Sequence, residues 1–450
     1  MGEMACECVS IHTTLTADLA FLTLDNRTCD MIKALLSLQQ TDSTDVGCCP
    51  TCPGGLALAL SIIQMLSPAR QPQVVAKAAI MVTRAILNLP PSSHLASIYT
   101  PLVGRSVLAS SFRSLILTPY LPSPLSLPDV GIVFRKTLKL AGTQIFKFVL
   151  EDLKERLELP YDVDSQAAAL LETQLGIGAT AGTQPDFTHP GALAGYTLTH
   201  IRSRPRRLAS LLFHPQIGKF TPRDAWSWLT PALERILHNP ERNHIGLLSL
   251  GGGPGYDYAG VKALCAVTNP CVAVTGHILD YEPAWSPLVD AVAEAVGSAP
   301  HLVTKDDRVI PGTCDITLPL ESEPNAPVLS ALDTSALSLV VASFVVEENR
   351  LALRQSDYIF FRQLLQALSQ QDSQVLFVIT ETTERQWPDF VRIVQEELGP
   401  STPFAMPSAP HTPGLELVFL LGGGEDYIYA PTPSDLSLLE EFSKRAANVD

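Results

Sequence analysis

Between His244 and Gly260 the chain reads HIGLLSLGGGPGYDYAG, an apolar stretch that stops abruptly at a cluster of glycines and a proline. Glycines at 251, 253 and 255 remove every Cβ from one side of the turn. A flat, bulky ligand can then lie against bare peptide units, near the N-terminus of a following helix. Downstream stand four acids: Asp280 in HILDYEPAW, Asp315 after Cys314, and the pair Glu347-Glu348 beyond the SLVVAS run that ends at Ser343. A carboxylate placed after a strand can accept hydrogen bonds from paired hydroxyls or take a proton as a general base. Paired glutamates at a strand-to-helix junction serve equally as favourable charge near a helix N-terminus, and Asp280 serves equally as a helix cap. Upstream, HIRSRPRR gathers Arg202, Arg204, Arg206 and Arg207, a basic run able to meet an anionic substrate or simply to face water.

Spacing separates the ligand-loop readings. A phosphate-binding loop needs Gly-Lys-Ser/Thr at its end, whereas Gly260 is followed by Val261 before Lys262. The dinucleotide fingerprint needs glycine where Tyr256 stands. What fits is G-x-G-x-G on a strand-to-helix turn, which resembles motif I of the class I S-adenosylmethionine-dependent methyltransferases. That family usually has an acid two positions before the first glycine, and this chain has Ser249 there. The resemblance implies S-adenosylmethionine as cofactor, with Gly251, Gly253 and Gly255 beneath it and Asp280 on its ribose hydroxyls. It further implies Asp315 near the adenine amino group, with Asp306 and Asp307 as rivals, and Ser343 closing the fourth strand beside the methyl group. The Asp/Asn-Pro-Pro-aromatic motif of many amino-group methyltransferases is absent after that strand, and no catalytic residue can be named, since positioning alone can drive transfer of an activated methyl. The GGGPG loop followed by LDYEPAW is also similar to a group of eukaryotic methyltransferase-like proteins, some assigned to ribosomal RNA. Three other readings remain: a glycine turn without ligand, a nicotinamide-dependent oxidoreductase on a similar sheet, and a non-catalytic binding protein with a degenerate methyltransferase fold.

The elements that must position these residues follow from periodicity. Apolar runs alternate between strand-like and helix-like after His244, the pattern of an α/β fold with a parallel sheet covered on both faces. The expected strands are 245–250, Cys271–Thr275, Ser338–Ser343 and Val375–Thr380. A Pro-Gly turn precedes Cys314, and an antiparallel edge of Thr402–Met406 and Leu415–Leu421 completes a seven-stranded doubly wound sheet. Expected helices are Ser286–Val296, Asp357–Leu368 and Trp387–Leu398, and Gly422 to Gly424 reads as a turn. Residues 1–175 read as a mainly helical N-terminal domain, with Asp30–Gln39, Gln73–Leu87 and Gly131–Leu157 at helical spacing and a proline-rich connector at Thr118–Pro128. Residues 176–242 read as linker and further helices: Leu175–Gly195, rich in Gly, Ala and Thr, as a mobile linker or lid, and Thr221–His238 as a helix carrying Trp226 and Trp228. The methyltransferase-like domain spans 243–430, and 431–450 form a tail.

A chain of 450 residues with 46% hydrophobic and 17% charged residues is globular rather than disordered. Its net charge of −15 argues against a general nucleic-acid coat, while leaving room for RNA at the local arginine run. No apolar run reaches the roughly 18–20 residues that span a bilayer, so no membrane is expected as partner. With no signal or transit segment visible and nine scattered cysteines, the sequence reads as intracellular, cytoplasmic or nuclear. Cys48, Cys49 and Cys52 form a cluster without a second ligand pair at a standard zinc spacing, so no metal is expected.

Overall fold

The structure, a computed structural model, describes residues 145–181, 187–213, 229–237, 242–268, 272–299, 306–334, 336–406 and 416–422, with single positions at 302, 440 and 444. Nearly all belong to one compact unit, Phe146–Lys262, Cys271–Ala299 and Thr304–Asp450. Of the other unit, Met1–Ile145, Ala263–Pro270 and Pro300–Val303, only 145, 263–268 and 302 are described. The expected helices before residue 131, the proline-rich connector, the cysteine cluster, Trp226 and Trp228 therefore lie outside the described residues.

The first described helices are α1 (residues 145–161), α2 (Ser165–Ala181), α3 (Pro190–His200), α4 (Arg204–Phe213) and α5 (Leu229–Ile236). The sheet follows. Strand β1 (His244–Leu250) leads into α6 (Tyr256–Thr268), β2 (Ala273–Asp280) into α7 (Ser286–Ser298), and β3 (Arg308–Thr313) into α8 (Ala326–Thr334). Strand β4 (Leu337–Ser343) precedes α9 (Arg350–Gln355) and α10 (Ile359–Ser369); β5 (Val375–Thr380) leads into α11 (Trp387–Leu398), and β6 (Phe404–Ala405) and β7 (Glu416–Leu421) close the sheet. The strand order is β3-β2-β1-β4-β5-β7-β6, with β7 antiparallel to both of its neighbours and the other pairings parallel. Strands β1, β4 and β5 are buried along almost their whole length, which is why they read as continuous apolar runs instead of alternating ones.

Local sequence explains the helices that cover them. In α11, Pro388 sits in the first turn with Asp389, Gly399 ends the helix at φ 98°, and Trp387, Phe390, Val391 and Val394 bury one face at three- and four-residue spacing. Helix α10 buries Phe360, Phe361, Leu364, Leu365 and Leu368 in the same way.

Four local expectations change. Leu175–Gly195 is not a linker where it is described: it is the end of α2 and the start of α3. Gly191 and Gly195 are packing residues, since a Cβ on Gly195 would lie 2.8 Å from the Ala168 Cβ and one on Gly191 would lie 2.4 Å from the Asp162 carbonyl oxygen. Strand β2 runs on past Thr275 to Asp280 because His277, Ile278 and Leu279 are also buried. Pro311-Gly312 lies inside β3 instead of forming a turn, which an edge strand permits because the missing N–H costs no ladder bond on its open side. The expected helix Asp357–Leu368 starts at Ile359, because Asp357 and Tyr358 adopt left-handed φ values of 49° and 57° after a separate short helix.

Beside the sheet, Lys262 and Asp307 form an ion pair at 2.9 Å, with side chains 1% and 5% exposed. The Asp307 carboxylate also accepts from the Tyr258 hydroxyl at 2.9 Å and the Val274 N–H at 2.8 Å. Removing one member strands a buried charge, so Asp307→Ala should lower unfolding free energy by about 3–5 kcal/mol, read as a fall in the denaturation midpoint.

Candidate functional site

The C-terminal ends of β1, β2 and β4 open onto one cleft, with an empty volume of about 1030 Å³ that includes its open mouth. Its floor is the glycine loop. Gly251, Gly253 and Gly255 all have positive φ, at 64°, 49° and 92°, a region closed to most side chains. Each answers a different need. A Cβ on Gly251 would fall 1.7 Å from Val345 Cγ1, so that position requires bare backbone, whereas a Cβ on Gly253 would meet nothing within 4 Å because this residue faces the open cleft.

Strand pairing brings Asp280 to the loop. The β1–β2 register sets Leu250 beside Leu279, the Gly252 N–H donates to the Leu279 carbonyl at 3.1 Å, and the Gly253 N–H donates to Asp280 Oδ2 at 2.9 Å. Asp280 Oδ1 accepts from the Glu282 N–H at 3.1 Å. Burial pushes the Asp280 carboxyl up to about 6, against the lowering effect of these amides.

Asp315 also lines the cleft, as do Cys314 and Ile316. Its Oδ1 accepts from the Thr317 N–H at 2.9 Å and the Thr317 hydroxyl at 2.6 Å, and Asn325 grips its backbone. The rivals are elsewhere: Asp307 is committed to Lys262, and Asp306 is exposed and not part of the lining. Burial raises the Cys314 thiol far above its ordinary value, so it stands in the wall as a neutral thiol.

Ser343, the last residue of β4, borders the cleft and donates to Asp257 Oδ1 at 3.0 Å, while the Thr380 hydroxyl donates to Ser343 at 3.2 Å. Ser249 donates to Asp257 Oδ2 at 2.7 Å. Asp257 was not singled out by the sequence reading. It enters the cleft from the first turn of α6, two residues after Gly255, and burial raises its carboxyl pKa. The legible signal was an acid just after the glycines of a chain that lacks one just before them.

The arginine run divides. Arg204 and Arg207 line the cleft, with the Arg204 guanidinium 4.4 Å from the Phe344 ring centre, 5.1 Å from that of Tyr196 and 5.7 Å from that of Tyr256. Arg207 lies 5.6 Å from the Phe344 ring centre and donates to the Glu381 carbonyl at 3.3 Å. Arg202 is exposed and Arg206 half-buried, and neither is part of the lining. Phe344 itself holds a left-handed φ of 61°, anchored by its N–H on the Thr380 carbonyl at 2.8 Å. Phe187, Tyr196 and Trp285 supply a second aromatic wall, with ring centres 5.8–5.9 Å from Trp285.

The glutamate pair also divides. Glu347 is 3% exposed, accepts from Gln386 Nε2 at 3.1 Å and lies 3.8 Å from Arg385. Glu348 lines the cleft, where burial, reinforced by the Asp280 charge, raises its pKa to about 8. Beneath them Glu381 accepts the Val346 and Glu347 N–H groups, and burial raises it to about 8 as well. Among the described residues no group of acids, histidines and cysteines could hold a metal ion, and no helix is long and apolar enough to cross a membrane.

A seven-stranded sheet in this order, with β7 alone antiparallel, is typical of class I methyltransferases, and the fold is of that type. No protein-family model matches the chain, and no curated protein matches it. Among solved structures, it is similar to a candidate class I S-adenosylmethionine-dependent methyltransferase from Listeria monocytogenes, at 11% identity and a TM-score of 0.29 over 68% of this chain and 99% of that one. It is similar also to the CMeT domain of the citrinin polyketide synthase, at 11% identity and a TM-score of 0.25 over 78% of this chain and 98% of that one.

The raised carboxyls make stability depend on pH. Glu381 in the fold keeps its proton to about 8 while the unfolded chain releases it near 4.5. The folded state therefore binds more protons across that window, and stability falls as pH rises through it. Glu381→Gln keeps a carbonyl oxygen for the two N–H donors. It should raise Tm at about pH 8 by a few degrees and change it little near pH 4.5, as scanning calorimetry at the two pH values would show.

Proposed function

We propose that the cleft binds S-adenosylmethionine and that the protein transfers its methyl group to an acceptor. The observation that carries this reading is the Gly253–Asp280 contact, which sets a carboxylate beside bare, open backbone at the C-terminal end of two neighbouring parallel strands. The glycine loop would receive the cofactor against its amides. Asp280 would accept from the ribose hydroxyls with the lone pairs that the amides of Gly253 and Glu282 leave free. Asp315, Cys314 and Ile316 would frame the base, and Ser343 would border the reacting end. When bound, the cofactor supplies a methyl group already activated by its sulfonium.

The chain's own residues then align the acceptor and keep water away. Phe344, Tyr196 and Trp285 present apolar walls. Glu348 is a cleft carboxyl assigned to no part of the cofactor, and with a pKa of about 8 it is suited to take a proton from the acceptor as it is methylated. The acceptor is RNA or a small molecule. Arg202, which is exposed, and Arg206, which is half-buried, lie outside the cleft lining and would meet a polyanion, and methylation of RNA through them should weaken steeply with salt.

Isothermal titration is expected to show binding of S-adenosylhomocysteine, tightening as pH rises through about 6. Asp280→Ala should weaken it roughly tenfold or more, the worth of a charged hydrogen bond. Binding of nicotinamide dinucleotides in its place would refute the reading. Transfer of labelled methyl into fractionated cellular RNA, protein and metabolites, against the Asp280→Ala control, identifies the acceptor; no transfer from a cofactor that binds would mark a non-catalytic protein.

A further inference from the structure

Two polar side chains of the cleft lining, Tyr196 and Glu348, make no side-chain hydrogen bond or ion pair with any described residue. Tyr196 is 4% exposed and held on all sides but its hydroxyl. Its ring centre lies 4.6 Å from that of His200 and 5.8 Å from that of Trp285, the Arg204 guanidinium sits 5.1 Å away, and its carbonyl accepts from the Tyr256 hydroxyl. Glu348 is half-buried, whereas its neighbours Glu347 and Glu381 are both bonded, to Gln386 and to two main-chain amides. The two groups share one corner. Glu348 acts on the Tyr196 phenol together with Arg204, Glu172 and Asp280, and Asp280 and Arg204 act in turn on Glu348. That corner sets two cleft acids, Asp280 and Glu348, against one guanidinium lying over the rings of Phe344, Tyr196 and Tyr256.

We propose that Glu348 and Tyr196 receive the methyl acceptor, and that the acceptor is a small organic amine on an apolar body. This rests on the reading of the cleft as an S-adenosylmethionine site and names the substrate class of its acceptor side. An ammonium brings several N–H donors and no acceptor, which suits a carboxylate and a phenol oxygen that both lack donors. Its charge also replaces the solvation that burial takes from Glu348. The faces of Tyr196, Trp285 and Phe344 attract a cation and cover an apolar body. A polynucleotide would bring phosphates to a lining in which Asp257, Asp280, Asp315 and Glu348 outnumber Arg204 and Arg207. Methylation then balances with one proton. Glu348 takes it from the ammonium, the freed nitrogen lone pair forms the N–C bond to the methyl carbon as the C–S bond breaks toward sulfur, and the proton passes to solvent as the methylated amine leaves. The Tyr196 oxygen accepts a remaining N–H and holds the nitrogen in line.

The test titrates benzylamine, benzyl alcohol and phenylacetate, which carry an ammonium, a hydroxyl and a carboxylate on the same ring, into the full chain saturated with S-adenosylhomocysteine. Calorimetry should show wild type binding benzylamine about tenfold or more tighter than either of the others. Glu348→Gln should remove that preference, and Tyr196→Phe should weaken benzylamine by about fivefold, which keeps the test open should the Glu348 variant fold poorly. Both variants should move S-adenosylhomocysteine affinity by under about twofold. Equal losses of benzylamine and S-adenosylhomocysteine would show a merely structural role and overturn the proposal, as would a preference that survives Glu348→Gln. A wild type that binds S-adenosylhomocysteine yet favours benzyl alcohol or phenylacetate, or none of the three, would overturn it with the cofactor reading intact. So would labelled methyl entering an RNA oligonucleotide in preference to benzylamine. Failure of wild type to bind S-adenosylhomocysteine would instead remove the cofactor reading beneath it.

Discussion

The N–H of Gly253 donates to the carboxylate of Asp280, and the N–H of Gly252 donates to the carbonyl of the residue before it, Leu279. These two bonds tie the turn after β1 to the end of β2, and the geometry of the cleft follows from them. They can form only if the chain leaves β1 with left-handed backbone at Gly251 and Gly253, since an L side chain at Gly251 would also run into Val345. The parallel register between β1 and β2 then brings the carboxylate to the amide without further adjustment.

Around that clamp the fold assembles carboxyl groups in a place poorly supplied with water. Asp257, Asp280, Glu348 and Glu381 are all raised by burial, and the arginines near them are spread over aromatic faces or bonded to main-chain carbonyls. Such a site favours neutral carboxyls when empty and ionised ones when a positively charged or hydrogen-bonding ligand enters, because the ligand replaces the solvation that burial removed. For Asp280 and Glu348, which line the cleft, ligand binding and proton release are thereby linked.

The helices before the sheet complete the cleft as well as covering the core. Tyr256, the residue that excludes the dinucleotide fingerprint, donates its hydroxyl to the carbonyls of Tyr196 and Thr197 and so docks α3 on the start of α6. That contact places Tyr196 and the following Arg204 over the glycine loop, where α3 and α4 supply aromatic and cationic surface that the strands do not.

The α/β class, the strand-turn-helix at 244–268 and the limits of β4, β5 and α11 were legible because each is dictated by a local rule: continuous apolar runs for buried strands, 3.6-residue spacing for helices, glycine where φ must be positive. The resemblance to a methyltransferase motif also pointed to Asp280, Asp315 and Ser343, and all three line the cleft. What local rules could not decide were choices settled by neighbours far along the chain. Gly191 and Gly195 look like flexible linker until a second helix is seen against them, and Pro311 looks like a turn until β3 proves to be an edge. Glu347 and Glu348 are adjacent and chemically identical, yet Gln386 and Arg385 claim one while the cleft takes the other. Ser249 marked a missing acid, but only the packing of α6 against the ends of β1 and β4 could bring Asp257 to it, because a hydrogen bond between residues eight apart depends on where two elements meet and not on what either one spells.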